Sequence, residues 1–131
     1  MKILLISRGI PTRDNPQWGC FEKDQAEALS SHGHEVIVVS VDGRFNIKKR
    51  KVGYTEVRIN GVDYVDLYIF PYGLFKVLGE KLSTHLILKF CKIAFNRIFK
   101  RIYKKYGKPD IIYSHFYFNT AYVIGLKSKY G

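Results

Sequence analysis

Residues 8–21, RGIPTRDNPQWGCF, join an apolar run, Ile3 to Ile6 in MKILLIS, to a segment reading EKDQAEALSSHG. An unbroken apolar run marks a strand buried on both faces, and Gly, Pro and Asn in the join forbid regular structure through it. A helix follows from about Gly19 to Ser31, with Gly33 as its stop. Its apolar spacing predicts Phe21, Ala28 and Leu29 on the inner side and Glu22, Lys23 and Glu27 facing outward. Strand, loop and helix in this order open a βαβ unit, in which ligands gather at the carboxyl end of the strand.

Outward from this stretch, His34 to Val41, HEVIVVSV, reads as a second buried parallel strand one crossover away. Asp42 to Gly53 is a polar, basic connection holding KKRK at 48–51, and Tyr54 to Ile59 and Val62 to Phe70 alternate in the manner of strands. Asn60-Gly61 between them is a strong hairpin signal, because both turn residues must take positive φ. After a break at Pro71 to Gly79, Glu80 to Tyr106 is one long helix. Leu82, Leu86, Phe90, Ala94, Ile98 and Ile102 recur every four residues and are joined by Ile87, Cys91, Phe95 and Phe99. Lys81, Lys89, Lys92, Arg97, Lys100, Arg101, Lys104 and Lys105 stand opposite, and no acid lies between Lys81 and Lys108. Asp110 to Ser114, DIIYS, is a further parallel strand that delivers His115 to the carboxyl edge, and Asn119 caps a last helix from Thr120 to Tyr130. The expected fold class is α/β: a three-layer, Rossmann-like domain with a mostly parallel sheet plus a β-hairpin.

A chain of 131 residues is one domain by length, and 47% hydrophobic residues suffice for a core. The net charge of +11 favours an anionic partner: a membrane surface, a nucleic acid or a phosphate-bearing substrate. Cys20 and Cys91 lie far apart with no CxxC and no histidine pair, so reduced thiols are expected, with neither a disulfide framework nor a metal site. Lys2 precedes an apolar stretch too short for a signal peptide, and Lys89, Lys92 and Arg97 interrupt the longest apolar region. The expectation is a cytoplasmic protein with a peripheral position at the inner face of the membrane, where helix 80–106 lies against anionic lipid through aromatics such as Phe99 and Tyr103. The chain lacks GxGxxG after the first strand, GxxxxGK[ST], GxSxG and HExxH, so a dehydrogenase, a P-loop NTPase, a serine hydrolase and a zincin lose their main support.

The ordered set PTRDNPQWGCF, QAEAL, GHEVIVVS and PDIIYSHF resembles the amino-terminal half of glycosyltransferase family 4 enzymes of the GT-B fold. The resemblance covers nearly the whole chain and is sharpest over Pro11 to Val39 and Pro109 to Phe116. It implies an acceptor-side domain, 1–131, of a retaining, metal-independent glycosyltransferase. Such an enzyme moves a sugar from a UDP- or GDP-linked donor to a polysaccharide or a lipid-linked glycan and needs no further cofactor. It also implies a second, nucleotide-sugar-binding domain with an acidic pair and a basic pair. The chain as read ends at Gly131, so it is expected to be incomplete for catalysis by itself.

By the same resemblance Gly19 and Cys20 offer backbone N–H groups to the donor phosphates at a helix amino terminus, although Trp18-Gly19 stands where many relatives carry two glycines. His115 matches the strand-end histidine near the transferred sugar and is the expected catalytic residue. Arg8 and Arg13 could hold an anionic acceptor, Asp14 and Asn15 its hydroxyls, and Trp18 an apolar wall. Phe116 and Tyr117 could stack on a sugar or pack in the core, and His32, His34 and His85 read as surface or helix-end residues. The alternative is a non-catalytic basic module for anionic lipid or RNA built on KKRK and the basic helix. RNA is the weaker partner, because Tyr64 and Tyr68 share a strand face without lysine.

Overall fold

The computed structural model describes residues 1–13, 15–43, 51–69, 77–115 and 123–124. The elements run β1 (Lys2–Ser7), α1 (Cys20–Ser31), β2 (Glu35–Asp42), β3 (Gly53–Ile59), β4 (Val62–Tyr68), α2 (Glu80–Tyr106) and β5 (Ile111–Ser114). They build a five-stranded sheet in the order β3-β4-β2-β1-β5, parallel except for the β3 edge. Rossmann-like α/β architecture and hairpin are both present as the residues imply. All of the expected helix 120–130 except residues 123–124, its Asn119 cap, Asp14, the aromatics Phe116 and Tyr117, and most of KKRK lie outside the described residues.

The sheet is covered on both faces. Leu4, Ile6, Ile37, Val39, Val65 and Leu67 pack against Ala94, Phe95, Ile98, Phe99 and Ile102 of α2. On the other face Leu5, Val36, Val38, Val62 and Tyr64 pack with Ala26, while Leu29 of α1 closes over them. Tyr64 is 2% exposed and its Oη has no hydrogen-bond partner. Burial first, then the charges of Glu27 and Asp24, pushes this phenol up to about 12. With Tyr64 and Tyr68 both buried, β4 offers no aromatic platform for RNA bases.

Local signals operate as their chemistry requires. Asn60 (φ 50°) and Gly61 (φ 79°) close the β3–β4 hairpin. Gly33 takes φ 83° beyond α1, where its N–H bonds Ser30 O and the His34 N–H bonds Leu29 O, a Schellman termination. The face of α1 differs from expectation. Phe21 is 73% exposed and Glu22 is 1% exposed, so the buried stripe is Glu22, Ala26 and, partly, Leu29. A stripe containing a carboxylate and an alanine carries almost no hydrophobic signal, and only the packing against the sheet defines it.

Helix α2 is continuous over 27 residues, and its contact with the core is confined to its carboxyl-terminal part. Cys91, Ala94, Phe95, Ile98, Phe99 and Ile102 are buried, whereas Leu82 and Phe90, expected on the same face, are 52% and 48% exposed. Phe99 is fully buried and Tyr103 packs against the core, so neither is available to lipid as the sequence suggested. At this helix's far end Lys105 and Arg101 both reach Glu56 of β3, at 2.6 Å each. Those hydrogen bonds, Lys105 first and Arg101 second, hold the Glu56 carboxyl below the ordinary glutamate value.

Two measurements follow from this packing. Phe99→Ala should cost about 3–5 kcal/mol in urea denaturation and Phe90→Ala less than about 1 kcal/mol, since only the first opens a cavity. Because the Glu56 pKa is lower folded than unfolded, its stabilisation is present above the ordinary value of 4.5 and is lost as pH falls through the folded value. Thermal unfolding of Glu56→Gln should therefore differ from the parent at neutral pH, and the two curves should converge at strongly acidic pH.

Candidate active site at the β1 and β5 tips

β1 sends its chain over one face of the sheet through α1 to β2, while β4 returns to β5 through α2 on the opposite face. The connections therefore diverge between β1 and β5, the position at which a sheet of this kind forms a crevice outside the carboxyl ends of its strands. Ile6 pairs with Ser114, so the residues that follow, Ser7-Arg8 and His115, leave the sheet side by side.

The loop after β1 is held by backbone contact. Gly9 N–H donates to Ser7 Oγ at 3.2 Å, and Ser7 Oγ in turn donates to Gly9 O. A Cβ on Gly9 would lie 1.9 Å from Trp18 Nε1, and one on Gly19 would lie 2.1 Å from Gly9 O. Gly19 also has φ 77°, so both space and backbone conformation demand glycine where α1 begins. Trp18 is folded back onto this loop, its Nε1 donating to Arg8 O at 3.1 Å and its ring lying 4.7 Å from Arg8 Cζ. The indole is thus committed to Arg8 on one side.

Arg8 Nε lies 3.9 Å from Glu22 Oε1 in the first turn of α1. Both Glu22 oxygens are buried without a hydrogen-bond partner among the described residues, so the pair is Coulombic rather than hydrogen-bonded. A negative charge here suits the positive end of α1 and offsets the arginine. It also shares that end with the expected phosphate site. At Cys20 the N–H faces Gln17 O at 3.5 Å, the outer limit of a hydrogen bond, and the first firm helical bond runs from Lys23 N–H to Gly19 O at 3.0 Å.

His115 is exposed just beyond β5, its ring edge-on to Tyr113 at 4.9 Å. Its Nε2 meets Gln25 Oε1, which ties the tip of β5 to α1. An amide oxygen at this distance can accept from the Nε2–H tautomer of the ring. The structure thus gathers Arg8, Trp18, Gly19 and Cys20 at the start of α1, and His115 reaches the same helix further along through Gln25. Arg13 and Asn15 stand instead on an exposed turn closed by Thr12 and Asn15, whose backbones bond each other at 3.0 and 3.3 Å. Sequence reasoning missed Gly9, Glu22 and Gln25. Gly9, next to Arg8 at a strand end, and Gln25, inside QAEAL, left a trace that could have been followed; Glu22 left none.

Removing Arg8 strands the Glu22 charge in a buried place. Arg8→Ala should cost about 2 kcal/mol in chemical denaturation, and adding Glu22→Gln should return at least about half of it.

No family model and no curated protein matches the chain. Among solved structures it is similar to one described as trehalose-6-phosphate from E. coli bound with UDP-2-fluoro glucose, at 12% identity and a TM-score of 0.53. The match covers 98% of this chain and 30% of that one, so the chain spans under a third of the length of its structural neighbour. At this identity the likeness speaks for the fold alone, a Rossmann-like domain.

Proposed function

We propose that this chain is the acceptor-side domain of a retaining, metal-independent glycosyltransferase that uses a UDP- or GDP-sugar and acts on a polysaccharide or a lipid-linked glycan. The observation that supports the reading is the contact of His115, at the tip of β5, with Gln25 of the helix that begins at the Gly19 turn. A fold shared with a protein that binds a UDP-sugar analogue supports it.

In this reading the amino terminus of α1 at Gly19 and Cys20 draws the donor diphosphate by its dipole and the backbone N–H groups of its first turn. Arg8, braced by Trp18 and Glu22, faces an anionic group of the acceptor or donor. Arg13 and Asn15, on their exposed turn, meet the outer part of the acceptor. His115 exchanges a hydrogen bond with a sugar hydroxyl at the reacting centre, its ring held by Gln25. Acid groups for the donor ribose and sugar come from a further domain.

The test is sugar transfer by the protein encoded in the complete reading frame, with a panel of UDP- and GDP-sugars and membrane extract as acceptor source. Turnover with one donor, insensitive to chelator, is expected, and His115→Ala should lower kcat about 100-fold. Absence of turnover with every donor would overturn the reading.

A further inference from the structure

The amino-terminal half of α2 is built unlike the rest of the domain. A helix of 27 residues is about 40 Å long, whereas the seven-residue β4 spans about 23 Å. The helix begins at the carboxyl edge of the sheet, and Ala94 and Arg97 already lie level with Leu67, Tyr68 and Ile69 at the end of β4. About a dozen residues therefore run past the sheet edge, roughly 18 Å of helix. Among Glu80–Phe90 only Ser83 is buried.

This projecting part is apolar and cationic together. Leu82, Phe90 and Ile93 are exposed and lie on one side of the helix, with the half-buried Leu86 between them. Phe90 and Ile93 continue into a groove of about 430 Å³ against β3 and β4, walled by Val52, Tyr54, Tyr68 and Ile69 with Arg97 beside it. Lys81, Lys89 and Lys92 are exposed, and among the described residues none has an acidic partner. At the carboxyl end of the same helix Arg101 and Lys105 are paired to Glu56 and the aromatic Phe99 is in the core, while Lys100 and Lys104 are exposed on a half without exposed large apolar neighbours. Exposed apolar side chains interleaved with unneutralised lysines match a surface that is apolar within and negatively charged above.

We propose that the projecting half of α2 and the groove beside it dock on a bilayer surface containing anionic lipid, with Leu82, Phe90 and Ile93 entering the acyl boundary and Lys81, Lys89 and Lys92 meeting the head groups. The groove lies at the same sheet edge as the β1 tip, two strands or about 10 Å away. Docking through α2 thus brings the crevice next to the membrane. The inference rests on α2 and its surroundings alone and is independent of the sugar-transfer reading.

The experiment is co-sedimentation of the full chain with phosphatidylcholine vesicles, with and without phosphatidylglycerol, at low and high salt. Binding is expected only with the anionic lipid and should weaken with salt. The combined Leu82→Ser, Phe90→Ser and Ile93→Ser variant and the combined Lys81→Gln, Lys89→Gln and Lys92→Gln variant should each lose at least about tenfold. Lys100→Gln with Lys104→Gln, on the core-packed half, should stay within about twofold. As a readout independent of affinity, Phe90→Trp should be quenched by brominated lipid while the native Trp18 is not. Equal losses in all three sets would overturn the proposal, as would salt-sensitive RNA retention without vesicle binding. So would an apolar variant that dissociates a dimer while vesicle binding is unchanged.

Discussion

The constraint on which the domain depends is that β1 must be buried on both faces. Leu4 and Ile6 point to one side and Leu5 to the other, and all three are fully buried. A single helix can satisfy only one of these sides. The chain meets the demand by sending α1 and α2 over opposite faces, and the crevice between β1 and β5 is the topological consequence of that choice.

Within that crevice, packing and charge are coupled through a few atoms. Gly9 and Gly19 let two stretches of backbone touch, which sets where α1 starts and points Glu22 inward. An inward carboxylate without hydrogen bonds is tolerable only beside a cation, and Arg8 lies next to it with its other face on Trp18. The arginine is therefore a structural partner as well as a candidate ligand group. Its exposure is about one third, enough to meet a solute without leaving its place.

Helix α2 shows how one element can serve two environments. Its carboxyl-terminal half is a core helix, with Ile98, Phe99 and Ile102 under the sheet and Arg101 and Lys105 neutralised by Glu56. Ahead of Cys91 the sheet has ended, and the same kinds of residue face solvent. No helix among the described residues is long and apolar enough to cross a membrane.

The sequence by itself determined the elements whose signals are local. Unbroken apolar runs set β1 and β2, Asn60-Gly61 set the hairpin, and Gly33 set the end of α1, because backbone conformation and two-sided burial leave direct marks on residue type. Of the candidate residues, Arg8 and Trp18 were picked out by their place in the loop after β1, whereas Gly19 and His115 came from the family resemblance and not from a local signal. Only the tertiary structure decided which faces are buried. Glu22 turns inward and Phe21 outward because Arg8, Trp18 and the Gly9 carbonyl arrive from elsewhere in the chain, and Gln25 gains meaning only when β5 pairs with β1. The division of α2 is likewise invisible in its periodicity, since a helix carries the same repeat whether or not a sheet still lies beneath it.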